Sequence, residues 1–238
     1  LGLNKMYIDT NYQDRKNKIA RYFDKTAVHA WEKLTSNEPL SKIRESVRRG
    51  REEMKLHLLS SLGEDLTGLS VLDAGCGTGA LSIEAAKRGA KVTAVDISPS
   101  LIKIAKSRAP RHIKGGGSVD FFWGDMADSS LGYFDHIVLM DSIIHYKPGD
   151  AVDLIKGLSE RCGSSLVFTF APSTFLLKIL INFGKCFPKK DRAPFIEPVS
   201  EEYLKKLLSA ELPKWRFGTT EKITSGFYRS TALELRHH

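Results

Sequence analysis

The stretch VLDAGCGTGA at residues 71–80 constrains this chain more than any other part of it. An apolar strand runs directly into three glycines at alternate positions, Gly75, Gly77 and Gly79, and then into helix-forming residues. A strand, a glycine turn and a helix in that order open a βαβ unit, and the glycines allow the close backbone approach that a ligand needs. The spacing G-x-G-x-G is neither the G-x-G-x-x-G of a dinucleotide fold nor the G-x-x-x-x-G-K-[ST] of a P-loop. Asp73 closes the strand, and a carboxylate there repels the phosphate that such turns usually hold. The ligand expected here is therefore not a phosphate.

The pattern around this turn fits an open α/β sheet. The first sixty-odd residues read as helices, with Ala27, Trp31 and Leu34 on one face and Ile43, Val47, Met54 and Leu58 on another. From Leu69 on, short apolar runs alternate with helical stretches: SVLDAG, KVTAVDI, VDFFWGD, FDHIVLMD and SLVFTFAP. That alternation is the signature of a parallel sheet. Ser98 followed by Pro99 marks a helix start, since serine caps the first turn and proline is pre-organised for it. Residues 172–213 break the alternation with FLLKILINF, the basic loop PKKDRAPFIEP and a helix from Ser200, and WRFGTTEKIT with YRSTALELR reads as a closing hairpin. The expected organisation is a helical cap over 1–62, an α/β core over 63–171, a substrate-covering insert over 172–213 and a hairpin over 214–238.

Open parallel sheets bind ligands at the carboxyl ends of their strands, so those ends are read together. They carry Asp73, Asp96, Asp125 and Asp141. Asp96 follows Gly75 by 21 positions, where a carboxylate meets a ribose diol. Asp125, in WGDM, is placed to accept from an adenine amine, and Asp73 to face positive charge. An adenosine carrying an amino acid through a cationic sulfur satisfies all three, which makes S-adenosylmethionine the expected cofactor. Its contacts are expected to come from Asp73, Gly75, Cys76, Gly77 and Gly79 at the turn. Asp96, Ile97 and Ser98 follow after the second strand, Asp125 and Met126 after the third, and Met140 after the fourth. Cys76 contributes its backbone and no nucleophile.

The ordered set VLDAGCGTG, AVDIS and GDM resembles the class I S-adenosylmethionine-dependent methyltransferases, whose fold is a Rossmann-like, seven-stranded, mostly parallel sheet. From about residue 20 onward, RYFDKTAVHAWEKL, SKIRESVRRGR, MDSIIHY, FTFAP and GFYRSTALELR resemble the magnesium protoporphyrin IX methyltransferase family of bacteriochlorophyll and chlorophyll synthesis. The resemblance implies methyl transfer to a propionate carboxylate of magnesium protoporphyrin IX, giving the monomethyl ester, with Tyr22 and His145 as the polar pair nearest that carboxylate. It also implies an N-terminal helical cap and an insert over the substrate, both expected to order when porphyrin binds.

Arg44, Arg48 and Arg51 fall at helical spacing with Lys55, either as a solvated face or as partners of the propionates. Phe175 to Phe183 would cover the macrocycle, touch a membrane interface or pack in the core. No His/Cys/Asp cluster has metal-ligand spacing, so magnesium belongs to the substrate and no resident metal is expected. A net charge of +8 suits an anionic partner, yet no N/D-P-P-Y motif marks a nucleic-acid amino-methyltransferase and no RNA-binding pattern is present, so nucleic acid is not expected. Three cysteines make no disulfide framework, and no apolar run reaches the roughly 20 residues of a membrane span. The chain is expected in the cytoplasm, with peripheral contact at the photosynthetic membrane and transfer of porphyrin from the chelatase subunit as further partners to test. Another class I methyltransferase, acting on a small lipophilic acid or phenol, is the alternative reading.

Overall fold

The strands are β1 (Ser70–Ala74), β2 (Lys91–Asp96), β3 (Ser118–Trp123), β4 (Phe134–Leu139), β5 (Cys162–Phe170), β6 (Trp215–Ser225) and β7 (Tyr228–His237). They form one sheet in the order β3-β2-β1-β4-β5-β7-β6. β1 pairs in parallel with both β2 and β4, while β7 runs antiparallel to β5 and β6. The expected seven-stranded, mostly parallel sheet is thus observed, with its switch of strand order beside β1. The structure is a computed structural model and describes residues 10–36, 38–173 and 196–237.

Seven α-helices accompany the sheet among the described residues: α1 (Thr10–Arg21), α2 (Val28–Leu34), α3 (Lys42–Leu62), α4 (Ala80–Lys87), α5 (Pro99–Arg108), α6 (Pro148–Ser159) and α7 (Glu201–Glu211). A wider helical turn, Tyr22–Thr26, joins α1 to α2. The central strands carry consecutive buried apolar residues, Val71 and Leu72 in β1 and Ile137, Val138 and Leu139 in β4, because both faces are covered. In β4, Val138 faces the layer of Met54, Leu58, Ala85 and Ala105 from α3, α4 and α5. Its neighbours Ile137 and Leu139 face Ile155, Leu158, Leu204 and Leu208 from α6 and α7. α5 starts as expected, with Ser98 Oγ accepting from Leu101 N at 3.3 Å and Pro99 in the first turn.

α7 lies within the segment read as a substrate-covering insert, yet Leu204 and Leu208 are buried in the core against α6. This part of the insert covers the sheet, because its apolar residues repeat at i and i+4 on one helix face. The run Phe175–Phe183 and the basic PKKDRAP turn lie outside the described residues.

Candidate active site

At the end of β1 the backbone turns through Gly75 at φ 87° and Gly77 at φ 56°, a region that L side chains rarely adopt. Gly75 also presses against the Ser142 side chain, leaving no room for a Cβ. Asp96 ties this turn to the next one: Oδ2 accepts from Gly77 N at 2.9 Å, and Oδ1 from Ser98 N at 2.8 Å. Each oxygen keeps a lone pair, which suits a ribose diol. Asp73 is buried below the turn and accepts from Ser82 Oγ at 2.5 Å. Burial pushes its carboxyl up to about 7, against the opposing effect of the Ser82 hydrogen bond. Burial likewise raises Asp96.

Asp125 stands one turn after β3. Its Oδ1 caps Ala127 N at 2.9 Å, and its Oδ2 receives Lys16 Nζ of α1 at 2.8 Å. The next residue, Met126, lines the same cleft, and its carbonyl is held by the guanidinium of Arg161, which also holds the carbonyl of Asp128. Arg161 is buried at the start of β5, so a residue far along the chain sets the shape of the loop.

After β4 the chain reverses at Asp141, the sole non-glycine residue with positive φ among those described, at 53°. A short helical turn, Ile143–His145, then carries His145 into the cleft. The imidazole is buried, and its ring packs 5.6 Å from that of Phe23. Arg15 of α1 donates to the His145 carbonyl at 3.0 Å and to Glu197 Oε1 at 2.6 Å, so α1 is fastened over this wall.

These groups border one cleft across the carboxyl ends of β1, β2, β3 and β4. Asp73, Gly75, Cys76, Gly77, Asp96, Ile97, Asp125, Met126, Met140 and His145 all line it. Four expected residues do not, Arg44 of α3 among them. Gly79 faces the Phe121 ring, 2.7 Å from the position of a Cβ, so it serves helix–strand packing. Ser98 is buried as the cap of α5. Tyr22 lies half-buried against the Phe23 ring, 5.3 Å away, and Phe23 takes the place at the cleft wall.

The arginines of α3 are not a row of open propionate partners. Arg44 is exposed in the first turn of the helix, away from the cleft. Arg48 borders the cleft, but it is spent on the carbonyls of Leu34, Lys33 and Glu38 at 2.7–3.1 Å and on Glu45 at 3.3 Å. Arg51 pairs with Asp141 and lies over the Trp31 ring at 4.5 Å. Helical spacing placed them on one helix, but apart from Glu45 their partners come from other segments.

Similarity to known proteins runs the length of the chain. It is 44% identical over 228 residues to the magnesium-protoporphyrin O-methyltransferase of Rhodobacter capsulatus, covering 95% of this chain and 99% of the relative. The chain belongs to the magnesium-protoporphyrin O-methyltransferase family. The family model described as magnesium-protoporphyrin IX methyltransferase C-terminus matches residues 139–237, and a general methyltransferase domain matches 71–162. The chloroplastic magnesium protoporphyrin IX methyltransferase of Arabidopsis thaliana is 31% identical over 92% of this chain and 70% of its own length. The crystal structure of the magnesium protoporphyrin IX methyltransferase from Synechocystis PCC 6803 with bound SAH superposes with a TM-score of 0.81. It is 28% identical and covers 94% of this chain and 100% of its own.

In this chain, sequence reading passed over Lys16, Phe23, Trp31, Ser142 and Arg161 as site residues. Trp31 was visible only as part of an apolar face. Nothing local marked Lys16 or Arg161, whose partners lie 109 and 35 positions away.

Proposed function

We propose that this chain transfers a methyl group from S-adenosylmethionine to a propionate oxygen of magnesium protoporphyrin IX, yielding the monomethyl ester and S-adenosylhomocysteine. The observation that carries this reading is a strand-end cleft, with Asp96 and Asp125 at one end and His145 at the other, in a chain 44% identical to such an enzyme along its length. The acceptor is an oxygen, and the oxygens of protoporphyrin IX are those of its two propionates. Bound S-adenosylmethionine supplies a methyl group on a cationic sulfur, which an oxygen lone pair takes up without any proton transfer.

The residues' tasks follow from that chemistry. A propionate is an alkyl carboxylate like that of Glu, with a pKa of about 4–5, so at neutral pH it is already ionised and no general base is required. Positioning and exclusion of water are the protein's contribution. His145 is placed to donate a hydrogen bond to the propionate, and its packing on Phe23 fixes the ring plane. Tyr22, beside Phe23, supports the same wall. Asp96 holds the ribose, and Asp125 the adenine amine. The test is incubation with S-adenosylmethionine and magnesium protoporphyrin IX, followed by mass detection of the monomethyl ester. Turnover of a small lipophilic acid or phenol, with none of the porphyrin, would overturn the reading.

We also infer a cytoplasmic protein that visits an anionic membrane surface and takes porphyrin there from the chelatase subunit. No helix among the described residues is long and apolar enough to cross a membrane. Between Asp96 and Asp120 the chain carries Lys103, Lys106, Arg108, Arg111 and Lys114 and no acidic residue. Trp123, beside the start of α5, is 68% exposed. Basic side chains next to an exposed indole suit a lipid interface. Co-sedimentation with vesicles containing anionic lipid, lost when Trp123 and Lys106 are replaced by alanine, supports the membrane contact. Equal recovery of wild type and variant overturns it.

A further inference from the structure

We infer that Arg51 is the anchor for the α-carboxylate of the cofactor, held ready by Asp141, and that it does not serve the porphyrin propionates. The inference rests on the S-adenosylmethionine reading above and adds how the amino-acid end is recognised. That end carries an ammonium and a carboxylate, so its site needs an anion and a cation a few ångströms apart.

The anion lies on the floor: Asp73 is buried under the glycine turn and borders the cleft. Candidates for the cation are the basic residues bordering the cleft, Arg48, Arg51 and Lys55. Arg48 has given up four of its five N–H groups to three carbonyls and Glu45. Lys55 is neutralised by Glu52 at 2.6 Å on its own helix. Arg51 remains. One Nη1 donor goes to Asp141, and its other N–H groups meet no protein acceptor among the described residues.

Its position is fixed from two sides, by Trp31 and by Asp141. The guanidinium lies over the Trp31 ring at 4.5 Å, and the Trp31 Nε1 is 3.3 Å from the place of a Cβ on Gly77. Arg51 therefore stands at the glycine turn, away from Asp125 and the adenine end. Asp141 is itself held by Tyr228 OH at 3.2 Å and Thr169 Oγ1 at 3.1 Å. Those donors share its charge, so Arg51 keeps part of its own for a second carboxylate. Ser142, next to Asp141, packs on Gly75 and has an Oγ that is buried with no protein partner among the described residues, so a polar ligand group is expected beside it. A planar fork stacked on an indole, with one edge fixed and another open, suits a carboxylate.

Calorimetric titration of the full chain with S-adenosylhomocysteine and with its decarboxylated analogue, the 3-aminopropylthio adenosine, tests this. Arg51→Met should lose about 10- to 100-fold in affinity for S-adenosylhomocysteine and change by less than about twofold for the analogue. Arg51→Lys should recover part of the loss. Equal losses for both ligands would mean that Arg51 only shapes the pocket. Unchanged S-adenosylhomocysteine binding with a raised KM for porphyrin would return it to the propionates. Should Arg51→Met not fold, the wild type still decides, since it must favour S-adenosylhomocysteine over the analogue by about tenfold or more. Equal binding overturns the assignment alone, whereas a wild type that binds neither nucleoside overturns the cofactor reading.

Discussion

Gly50 of α3 meets Tyr228 of β7 so closely that a Cβ on the glycine would lie 2.5 Å from the ring Cδ1. The contact brings α3 down onto the sheet at the point where its next residue, Arg51, reaches Asp141, and the Tyr228 hydroxyl bonds to that same Asp141 at 3.2 Å. Gly50→Ala should therefore destabilise the fold by about 1–3 kcal/mol through overpacking. It should also weaken cofactor binding, because Arg51 moves with the helix. Urea unfolding and S-adenosylhomocysteine titration measure the two effects, and a variant as stable as wild type would mean that Tyr228 can swing aside.

Lys16 occupies an oxygen of Asp125 that an adenine amine would share. The pair is worth about 0.2–1 kcal/mol, and where the adenine amine has to weaken it on binding, Lys16→Met removes that competition and should bind S-adenosylhomocysteine up to about fivefold more tightly. Weaker binding would show instead that Lys16 helps to cover the nucleoside.

Asp96→Ala should weaken cofactor binding by about 1.5–3 kcal/mol, the range for hydrogen bonds to a charged group. Two backbone donors, Gly77 N and Ser98 N, lose their acceptor as well, so a smaller loss of stability accompanies it. Circular dichroism establishes that the variant folds, and calorimetry then reads the affinity.

His145→Ala should lower turnover by about 100-fold while leaving cofactor affinity close to wild type, because the contact proposed for it is with the acceptor carboxylate. Single-turnover methylation and S-adenosylhomocysteine titration separate the two. A variant of wild-type rate would confine His145 to packing on Phe23.

Asp73 gives a pH signature. Its folded-state pKa is raised to about 7 from 3.8, so the folded chain keeps a proton that the unfolded chain has released. Stability relative to Asp73→Asn should fall as pH rises from about 4 to about 7, by an amount of order 4 kcal/mol, and level off above that. A cationic cofactor favours the ionised form, so binding at pH 7 should release a proton. Calorimetry in buffers of different ionisation enthalpy detects it, and a release that persists in Asp73→Asn would assign it elsewhere.

The local sequence determined what local physics controls. Gly75 and Gly77 announce a turn with close backbone approach, Ser98 and Pro99 start a helix, and the alternation of apolar runs with helical stretches produces the parallel sheet, because each signal acts within a few residues. The strand-end aspartates were legible for the same reason: the parallel fold brings every strand terminus to one edge. The site's second layer was not legible. Arg51 meets Asp141 across 90 positions, and Lys16 meets Asp125 across 109. Helical spacing put Arg44, Arg48 and Arg51 on one helix, but it carried no information on which would face carbonyls, solvent or an aspartate. Gly79 and Ser98 looked like cofactor contacts because they adjoin cleft-lining residues in sequence, whereas the turn into α4 and the cap of α5 direct them into packing. Partner choice between distant segments depends on how α1, α2 and α3 settle on the finished sheet, and only the tertiary structure decides that.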